Sequence, residues 1–373
     1  MYKKPLSLII PCHNSADFLS TCLDSVRRQT LGVENMHVIL VDDASPDASG
    51  AICDAMAQED ARISVVHLPE NGGLSNARNA GVKTARGRFL MFLDSDDWVE
   101  ETLLSELAAV VRSGNAPQMI VWGVTEEHYA ADGKLIEERR LTCPEELLEG
   151  EAAVREAALK LERMTLLGYA WNKLYDMELI RGCGAEFEKV PLIEDILFNL
   201  SVLGSVSRMR ILNSAPYHYA RRDTGSLTHG FLPYYFECSA RRVRTMLGLY
   251  AKWGMRDQAA GVLAPIYARY ALSALQRNCD PRAQMTHRKR REFAKALFES
   301  DLFRTLAPEL KKGSGVSGLP GRMLAMRSEW VCLLAGRAVY FVSNNMKELF
   351  VKLSGSRQEE RKHEAADRRG AQL

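Results

Sequence analysis

"FLMFLDSDDW" (residues 89–98) is an apolar run that stops abruptly at three carboxylates, Asp94, Asp96 and Asp97, and is closed by Trp98. It is the fourth such run, after "LSLIIP" (6–11), "HVILVD" (37–42) and "ISVVHL" (63–68). Segments with helical patterning, Ala16 to Gln29 and Leu74 to Ala85, lie among them. Strands buried on both faces read as continuous apolar runs, and such runs alternating with helices predict a mostly parallel sheet covered on both sides. The fold class is therefore α/β. A fifth run, "QMIVWGV" (118–124), precedes "AADGK" (130–134), whose Asp132-Gly133 predicts a hairpin turn and a sheet that becomes mixed there.

A chain of 373 residues, 46% of them hydrophobic, can bury a substantial core and by length suggests two domains. The pattern turns to helices and loops from about Glu145 and is almost entirely helical from about Phe231 to Ser354. We expect an α/β domain over residues 1–228, a helical region over 229–355, and a disordered polar tail over 356–373 that lacks apolar periodicity. "KKGSGVSGLPG" (311–321) reads as an internal linker.

Charge and cysteine usage narrow the setting. A net charge of +2 gives no argument for a nucleic-acid partner, and "HRKRR" (287–291) reads as a solvated helix face. Eight scattered cysteines without a C-x-x-C pair, and no secretory signal at "MYKKPLSLIIPCHN", predict neither disulfides nor a zinc site but a reducing, cytoplasmic setting. "WVCLLAGRAVYFV" (330–342) contains Arg337 and falls short of the roughly 18 to 20 apolar residues of a membrane span. It can lie on a membrane without crossing it. "SARRVRTMLGLYAKWG" (239–254) and "MKELFVKLSG" (346–355) mix apolar spacing with basic residues. Peripheral contact with the inner membrane face is thus one expectation for the helical region, and simple helix packing is the other.

In open α/β sheets ligands bind beyond the carboxyl ends of the strands. Three runs end there in Pro11-Cys12-His13-Asn14, Asp42-Asp43-Ala44-Ser45 and Asp94-Ser95-Asp96-Asp97. Five acidic groups converging on one edge repel unless a cation sits among them. Hard cations such as Mg²⁺ and Mn²⁺ take one or two carboxylates plus phosphate oxygens. The charge at residues 94–97 is therefore read as holding a metal and its diphosphate. Asp and Ser after a strand also form ordinary turns and helix caps, which is the competing reading of "DDAS".

"SLIIPCHNSADFLSTCLDSVRRQT", "VILVDDASPDAS", "NGGLSNARNAGVKTARGRFLMFLDSDDW" and "IEDILFN" together resemble the family 2 glycosyltransferases, inverting, nucleotide-sugar-dependent enzymes of the GT-A fold. The resemblance spans roughly residues 5 to 228 and makes 1–228 the catalytic domain. It implies that Asp43, with Asp42 beside it, accepts from the uracil N–H, that Arg78 lies near the base, that Asp94 holds the ribose hydroxyls, and that Asp96 binds the metal. Pro11, His13, Asn14 and Ser95 join the nucleotide-sugar contacts, with His13 standing where an aromatic ring is more usual. Glu194-Asp195 resembles the family's Glu-Asp pair, whose Asp is the general base, with Glu194 the first alternative. Arg221, Arg222 and Ser226 match a basic loop that closes over the diphosphate, and His218 or His229 could add a contact there. Trp171, in "YAWNKLYD", is a candidate for stacking on an acceptor sugar, weighed evenly against a core role.

What the resemblance implies is transfer of a single sugar from a UDP-sugar to a hydroxyl of a glycan or lipid-linked glycan in surface polysaccharide synthesis, with Mn²⁺ or Mg²⁺ as cofactor. Processive synthases of the family carry a Gln-x-x-Arg-Trp motif and membrane spans, neither of which is visible here. A catalytically silent nucleotide-sugar or carbohydrate-binding scaffold is the alternative on the same fold. A nucleotidyltransferase would carry a glycine-rich loop after the first strand, and "PCHNSADF" has none.

Overall fold

The structure is a computed structural model that describes residues 4–30, 36–112, 115–130, 132–222, 232–313, 315 and 317–345. Two compact units divide the chain, Met1–Gly230 and Phe231–Leu373. Ser226, His229, the stretch 346–355 and the tail 356–373 lie outside the described residues.

The first unit opens with β1 (Lys4–Cys12), α1 (Ala16–Arg27), β2 (Met36–Asp42), α2 (Ser49–Glu59), β3 (Ile63–His67), α3 (Leu74–Thr84) and β4 (Gly87–Phe92). β1 pairs in parallel with β2 and with β4, and β2 pairs in parallel with β3. Every residue of β2 is buried, which is the physical reason that its run is unbroken. Each fully buried Val, Leu or Ile contributes about 1.5–3 kcal/mol.

β5 (Trp98–Val99), α4 (Leu103–Val111), β6 (Met119–Val121), β7 (Val124–Tyr129), β8 (Leu135–Leu141), β9 (Glu146–Glu149), α5 (Glu151–Arg163), β10 (Lys173–Asp176), α6 (Met177–Cys183), α7 (Glu194–Leu203), β11 (Arg208–Ile211) and β12 (Tyr217–Arg222) complete the unit. The main sheet has eight strands in the order β3-β2-β1-β4-β10-β6-β11-β9. It becomes mixed at β10, which runs antiparallel to both β4 and β6.

The fifth apolar run is not one strand. β6 stops at Val121, and Trp122-Gly123 carry the chain out of the main sheet into β7. Gly123 is required there, since a Cβ would stand 2.3 Å from the Leu141 carbonyl oxygen and 2.9 Å from that of Ser214. The hairpin at Asp132-Gly133 forms, with Gly133 at φ +82°, but it joins β7 to β8 in a second sheet ordered β5-β12-β7-β8.

The second unit is helical: α8 (Tyr235–Lys252), α9 (Arg256–Arg277), α10 (His287–Glu299), α11 (Asp301–Leu310), α12 (Leu319–Ala325) and α13 (Glu329–Asn345). α8, α11, α12 and α13 all pack on α9, whose alanines at 259, 260, 264, 268, 271 and 274 permit close approach. The apolar face of 239–254 is spent inside the unit, because Val243, Met246, Leu247 and Tyr250 are buried. That stretch therefore offers no apolar face to a membrane. The glycine-rich 311–321 stretch is shorter as a loop than expected, since α12 starts within it at Leu319. All eight cysteines are free, and no helix among the described residues is long and apolar enough to cross a membrane.

The two turn glycines separate crowding from backbone strain. Gly123→Ala meets fixed carbonyl oxygens and is expected to cost about 2–3 kcal/mol, whereas Gly133→Ala meets nothing within 4 Å and should cost about 1–2 kcal/mol through its positive φ alone. Urea unfolding of both variants checks this, and equal midpoints would contradict it.

Candidate active site

The carboxyl ends of β1, β2 and β4 lie side by side and bring together the three motifs that the sequence singles out. His13 and Asn14 are exposed just past β1. The His13 ring sets Nδ1 3.0 Å from the Asp43 carbonyl oxygen and Nε2 3.0 Å from the Asn71 side-chain nitrogen. Pro11 is buried within the ladder opposite Val41. Ser95 is buried as well, with its hydroxyl 2.7 Å from that of Ser15. Neither Pro11 nor Ser95 presents its side chain to the open edge.

Consecutive Asp42 and Asp43 do different work. Asp43 is almost fully buried, and its two oxygens accept the backbone N–H groups of Gly72 at 2.9 Å and Gly73 at 2.7 Å. It thereby fixes the loop that opens α3. Asp42 accepts from the Ser45 N–H at 3.1 Å and lies 3.1 Å from His67 Nδ1, whose Nε2 is 3.0 Å from Asp54. Burial opposes the Asp42 charge, but the Ser45 and His67 hydrogen bonds outweigh it and hold the pKa below the usual range.

Arg78 occupies the centre. Its side chain is about 1% exposed; Nη2 donates to Asp94 at 2.7 Å and Nη1 to Asp195. Its guanidinium carbon lies 5.8 Å from the Phe92 ring centroid and 5.3 Å from that of Phe187. The resemblance puts Arg78 near the nucleobase; in the structure its guanidinium is taken by Asp94 and Asp195. Two carboxylates hold it inward, away from the open edge.

The carboxylates at 94–97 also separate. Asp97 is buried, accepting from the Tyr217 hydroxyl at 2.7 Å and the Ala220 N–H at 2.9 Å, so it ties this loop to β12. Burial, with Asp96 and Asp94 nearby, raises its pKa well above the usual value. Asp96 is exposed and carries no hydrogen bond from another residue's donor among the described residues. Desolvation by the surrounding protein and the neighbouring Asp94 charge raise its pKa. Arg222 Nη1 donates to the Asp96 carbonyl oxygen at 2.7 Å, and its guanidinium stands 4.2 Å from the Phe18 ring centroid. Arg221, next along the strand, packs 5.8 Å from the Tyr219 ring centroid.

Glu194 and Asp195 open α7. Asp195 accepts the Ala170 N–H at 2.9 Å in addition to Arg78, and burial raises its pKa against the pull of Arg78. Burial and the Asp195 charge push Glu194 up to about 7, and its Oε2 is buried without a hydrogen-bond partner. The loop that supplies Ala170 is pinned by Asn199, whose side chain donates to the carbonyls of Leu167 at 2.8 Å and Tyr169 at 3.0 Å. Three non-glycine residues in the left-handed region border this edge: Asn14 (φ 52°), Ala44 (φ 51°) and Leu192 (φ 69°). Strain of this kind collects at functional sites.

Two aromatic positions left open between a ligand contact and a structural role take the structural one. Trp171 is about 3% exposed and stacks on Tyr169 and Tyr217 with centroids 4.3 and 4.1 Å away, so it is a core residue and offers no face to a sugar. His218 is buried against Trp98 (3.5 Å between centroids), with Nδ1 2.8 Å from Glu127, which also accepts from Trp98 and Tyr129. It belongs to the second sheet's own polar cluster. Sequence reasoning passed over Gly72, Gly73, Glu127 and Tyr217. Strand alternation in "YHYARR" holds the signal for the last, because it sets Tyr217 and His218 on opposite faces.

Among the described residues no group of three His, Cys, Asp or Glu side chains could hold a metal ion by itself. At the end of β4 the donors left without a hydrogen bond among the described residues are the Asp96 carboxylate and the second oxygen of Asp94. Two hard oxygens suit a divalent cation that takes its remaining ligands from phosphate and water.

Residues 7–141 match the family described as "Glycosyl transferase family 2". The chain is 31% identical over 275 residues to the uncharacterized glycosyltransferase EpsJ of Bacillus subtilis, covering 73% of this chain and 77% of EpsJ. It is 26% identical over 221 residues to the poly(ribitol-phosphate) beta-N-acetylglucosaminyltransferase TarS of Staphylococcus aureus, covering 59% of this chain and 36% of TarS. The crystal structure of S. aureus TarS 1–349 in complex with UDP superposes with a TM-score of 0.64 at 17% identity, covering 90% of each chain, a likeness of fold. With strand ends arranged as described and a relative that shares most of its length, the chain belongs to glycosyl transferase family 2 and is a glycosyltransferase of the GT-A fold.

Proposed function

We propose that the enzyme transfers one sugar, with inversion, from a UDP-sugar to a hydroxyl of a glycan or lipid-linked glycan in the synthesis of a cell-surface polymer. The observation that carries this reading is the Arg78 bridge, which sets Asp195 beside the donor-side carboxylate Asp94, with Asp96 open next to it. The surface-polymer acceptor and the uridine nucleotide draw support from TarS, by its printed activity and its UDP complex.

On this reading the nucleotide lies across the ends of β1 and β2, against His13 and the Asn14 turn, and Asp94 receives the ribose hydroxyls. Asp96 and the second oxygen of Asp94 are the residues that would hold Mg²⁺ or Mn²⁺. When bound, such an ion supplies positive charge against the departing diphosphate. Arg222, half-buried beside Asp96, adds a fixed cation on the same side. Asp195 takes the proton of the acceptor hydroxyl as its oxygen bonds to the anomeric carbon and the bond to the diphosphate breaks. Arg78 and the Ala170 N–H hold the Asp195 carboxylate in one orientation throughout. A single displacement inverts the anomeric centre.

A second assignment of the base has its own support. The unpartnered Oε2 of Glu194 and its pKa near 7 make it a proton acceptor poised at neutral pH. With Asp195 as the base, Asp195→Asn loses about 10²- to 10⁴-fold in turnover with UDP affinity kept, while Glu194→Gln stays within about tenfold. Turnover then rises with pH towards about 7 in the wild type, where the second proton leaves the pair, and the limb moves to lower pH in Glu194→Gln. Loss of turnover in Glu194→Gln with Asp195→Asn active would transfer the role to Glu194.

Asp96→Ala is expected to abolish transfer and metal-dependent UDP binding without lowering the melting temperature. The raised Asp96 pKa means that the folded protein disfavours its charge, a stability cost present at neutral pH and relieved as pH falls through that pKa. Transfer that remains metal-dependent in Asp96→Ala would sink this assignment.

A further inference from the structure

One lysine lies wholly inside the first unit. Lys173 opens β10, a strand between β4 and β6 whose four residues are all buried, and it is 0% exposed. An ammonium withdrawn from water is costly unless its three N–H groups find acceptors. Nζ donates to the carbonyl oxygens of Leu166 at 3.0 Å and Tyr169 at 2.5 Å, and to the Asn172 side-chain oxygen at 2.7 Å. A hydrophobic side chain of similar size would fill this place in the sheet without that cost.

What the charge does is visible in the segment that it grips. The carbonyls of 166–170 turn to side-chain donors: Leu166 also receives Asn172 Nδ2 at 3.0 Å, Leu167 and Tyr169 receive Asn199 Nδ2 at 2.8 and 3.0 Å, and Ala170 receives the Tyr175 hydroxyl at 3.3 Å. The Tyr169 carbonyl and the Ala170 N–H belong to one peptide unit, planar and trans, so the two point in opposite directions. Lys173 holds the oxygen end of that unit, and Asp195 accepts from its N–H end at 2.9 Å. A cation on the carbonyl polarises the peptide and strengthens its N–H as a donor. A single peptide bond therefore connects the buried ammonium to the carboxylate.

Asp195 is held from two sides. Its other oxygen receives Arg78 of α3, which is shared with Asp94 at the end of β4. Glu194 precedes it on α7, and Lys173 and the Tyr175 hydroxyl lie on β10 within electrostatic reach. Burial raises the Asp195 pKa, and Lys173 is among the cations that pull it back.

We propose that Lys173 is a positioning residue for sugar transfer: through the Tyr169–Ala170 peptide it fixes the direction of the Asp195 carboxylate and lends it positive charge. This role rests on Asp195 being the base. Shut away from solvent, Lys173 acts on the acceptor hydroxyl only through Asp195.

The test compares Lys173→Met, Asn199→Ala and Asp195→Asn in the full chain, measuring turnover, UDP affinity and the pH profile in one Mn²⁺ buffer. Lys173→Met should lose about tenfold to a hundredfold in turnover while UDP affinity stays within about threefold. The rising limb of its pH profile should move to higher pH by about half a unit or more, since removing a cation raises the pH at which Asp195 gives up its proton. Asn199→Ala loosens the same segment and leaves the ammonium in place, so it should lower turnover without moving the limb. A limb that stays put in Lys173→Met, or that moves as far in Asn199→Ala, overturns the proposal, because loosening alone would then account for the loss. Should Lys173→Met not melt cooperatively, Lys173→Gln, which keeps an N–H donor on a shorter side chain, carries the same readouts. Loss of UDP binding in both marks Lys173 as a residue of the fold alone and also overturns the proposal. Turnover kept in Asp195→Asn overturns the base assignment itself, whereas turnover kept in Lys173→Met beside an inactive Asp195→Asn overturns only the role of Lys173.

Discussion

A guanidinium shut away from water between two carboxylates persists only while both remain charged, and Arg78 is in that position between Asp94 and Asp195. Removing one partner from such a buried pair costs about 3–5 kcal/mol, because the remaining charge has no water to turn to. Much of the first unit serves this contact. α3 delivers Arg78, the end of β4 delivers Asp94, and the first turn of α7 delivers Asp195. Phe92 and Phe187 wall the guanidinium, and Phe187 stacks on Phe198 of α7 at 4.1 Å. The same bridge opposes the burial that raises the Asp195 pKa.

The second sheet plays the complementary part. Asp97 and Tyr217 join the acidic loop to β12, and the same hydroxyl accepts the Asp94 N–H at 3.2 Å. Through Arg222 the strand also holds the Asp96 carbonyl. One side chain of the acidic run is therefore invested in anchorage so that Asp96, a neighbour, can stand open. The carboxylate that faces outward is held in place by a buried neighbour's hydrogen bonds.

The architecture was legible where burial leaves a mark on composition. β1 to β4 read as unbroken apolar runs because both faces of the sheet are covered, and the parallel ladder followed from that. That the three motifs gather at one edge was legible too, since the acidic runs fall at the ends of parallel strands. What the sequence could not supply was direction. Asp42 and Asp43 are adjacent in the chain, yet one turns to His67 and the other to the Gly72-Gly73 amides. Arg78, Asp97, Trp171 and His218 have the chemistry of ligands and point into protein, because partners more than ninety residues away claim three of them. The split of residues 118–124 into two sheets was hidden for a similar reason: Gly123 answers to Leu141 and Ser214, which no local pattern reveals.

β10 has a consequence for how the chain comes into being. Among the described residues it alone joins β4 to β6, so the ladder β3-β2-β1-β4 and the ladder β6-β11-β9 meet there only through residues 173–176. During synthesis the first ladder is complete once residue 92 has emerged, but its β4 edge stays unpaired for some eighty residues more. A bare, apolar edge strand invites pairing with other chains. The interval between β4 and β10 on the ribosome is the period in which this protein is most exposed to misassembly, and the antiparallel strand that closes it also brings α7, and with it Asp195, within reach of Arg78.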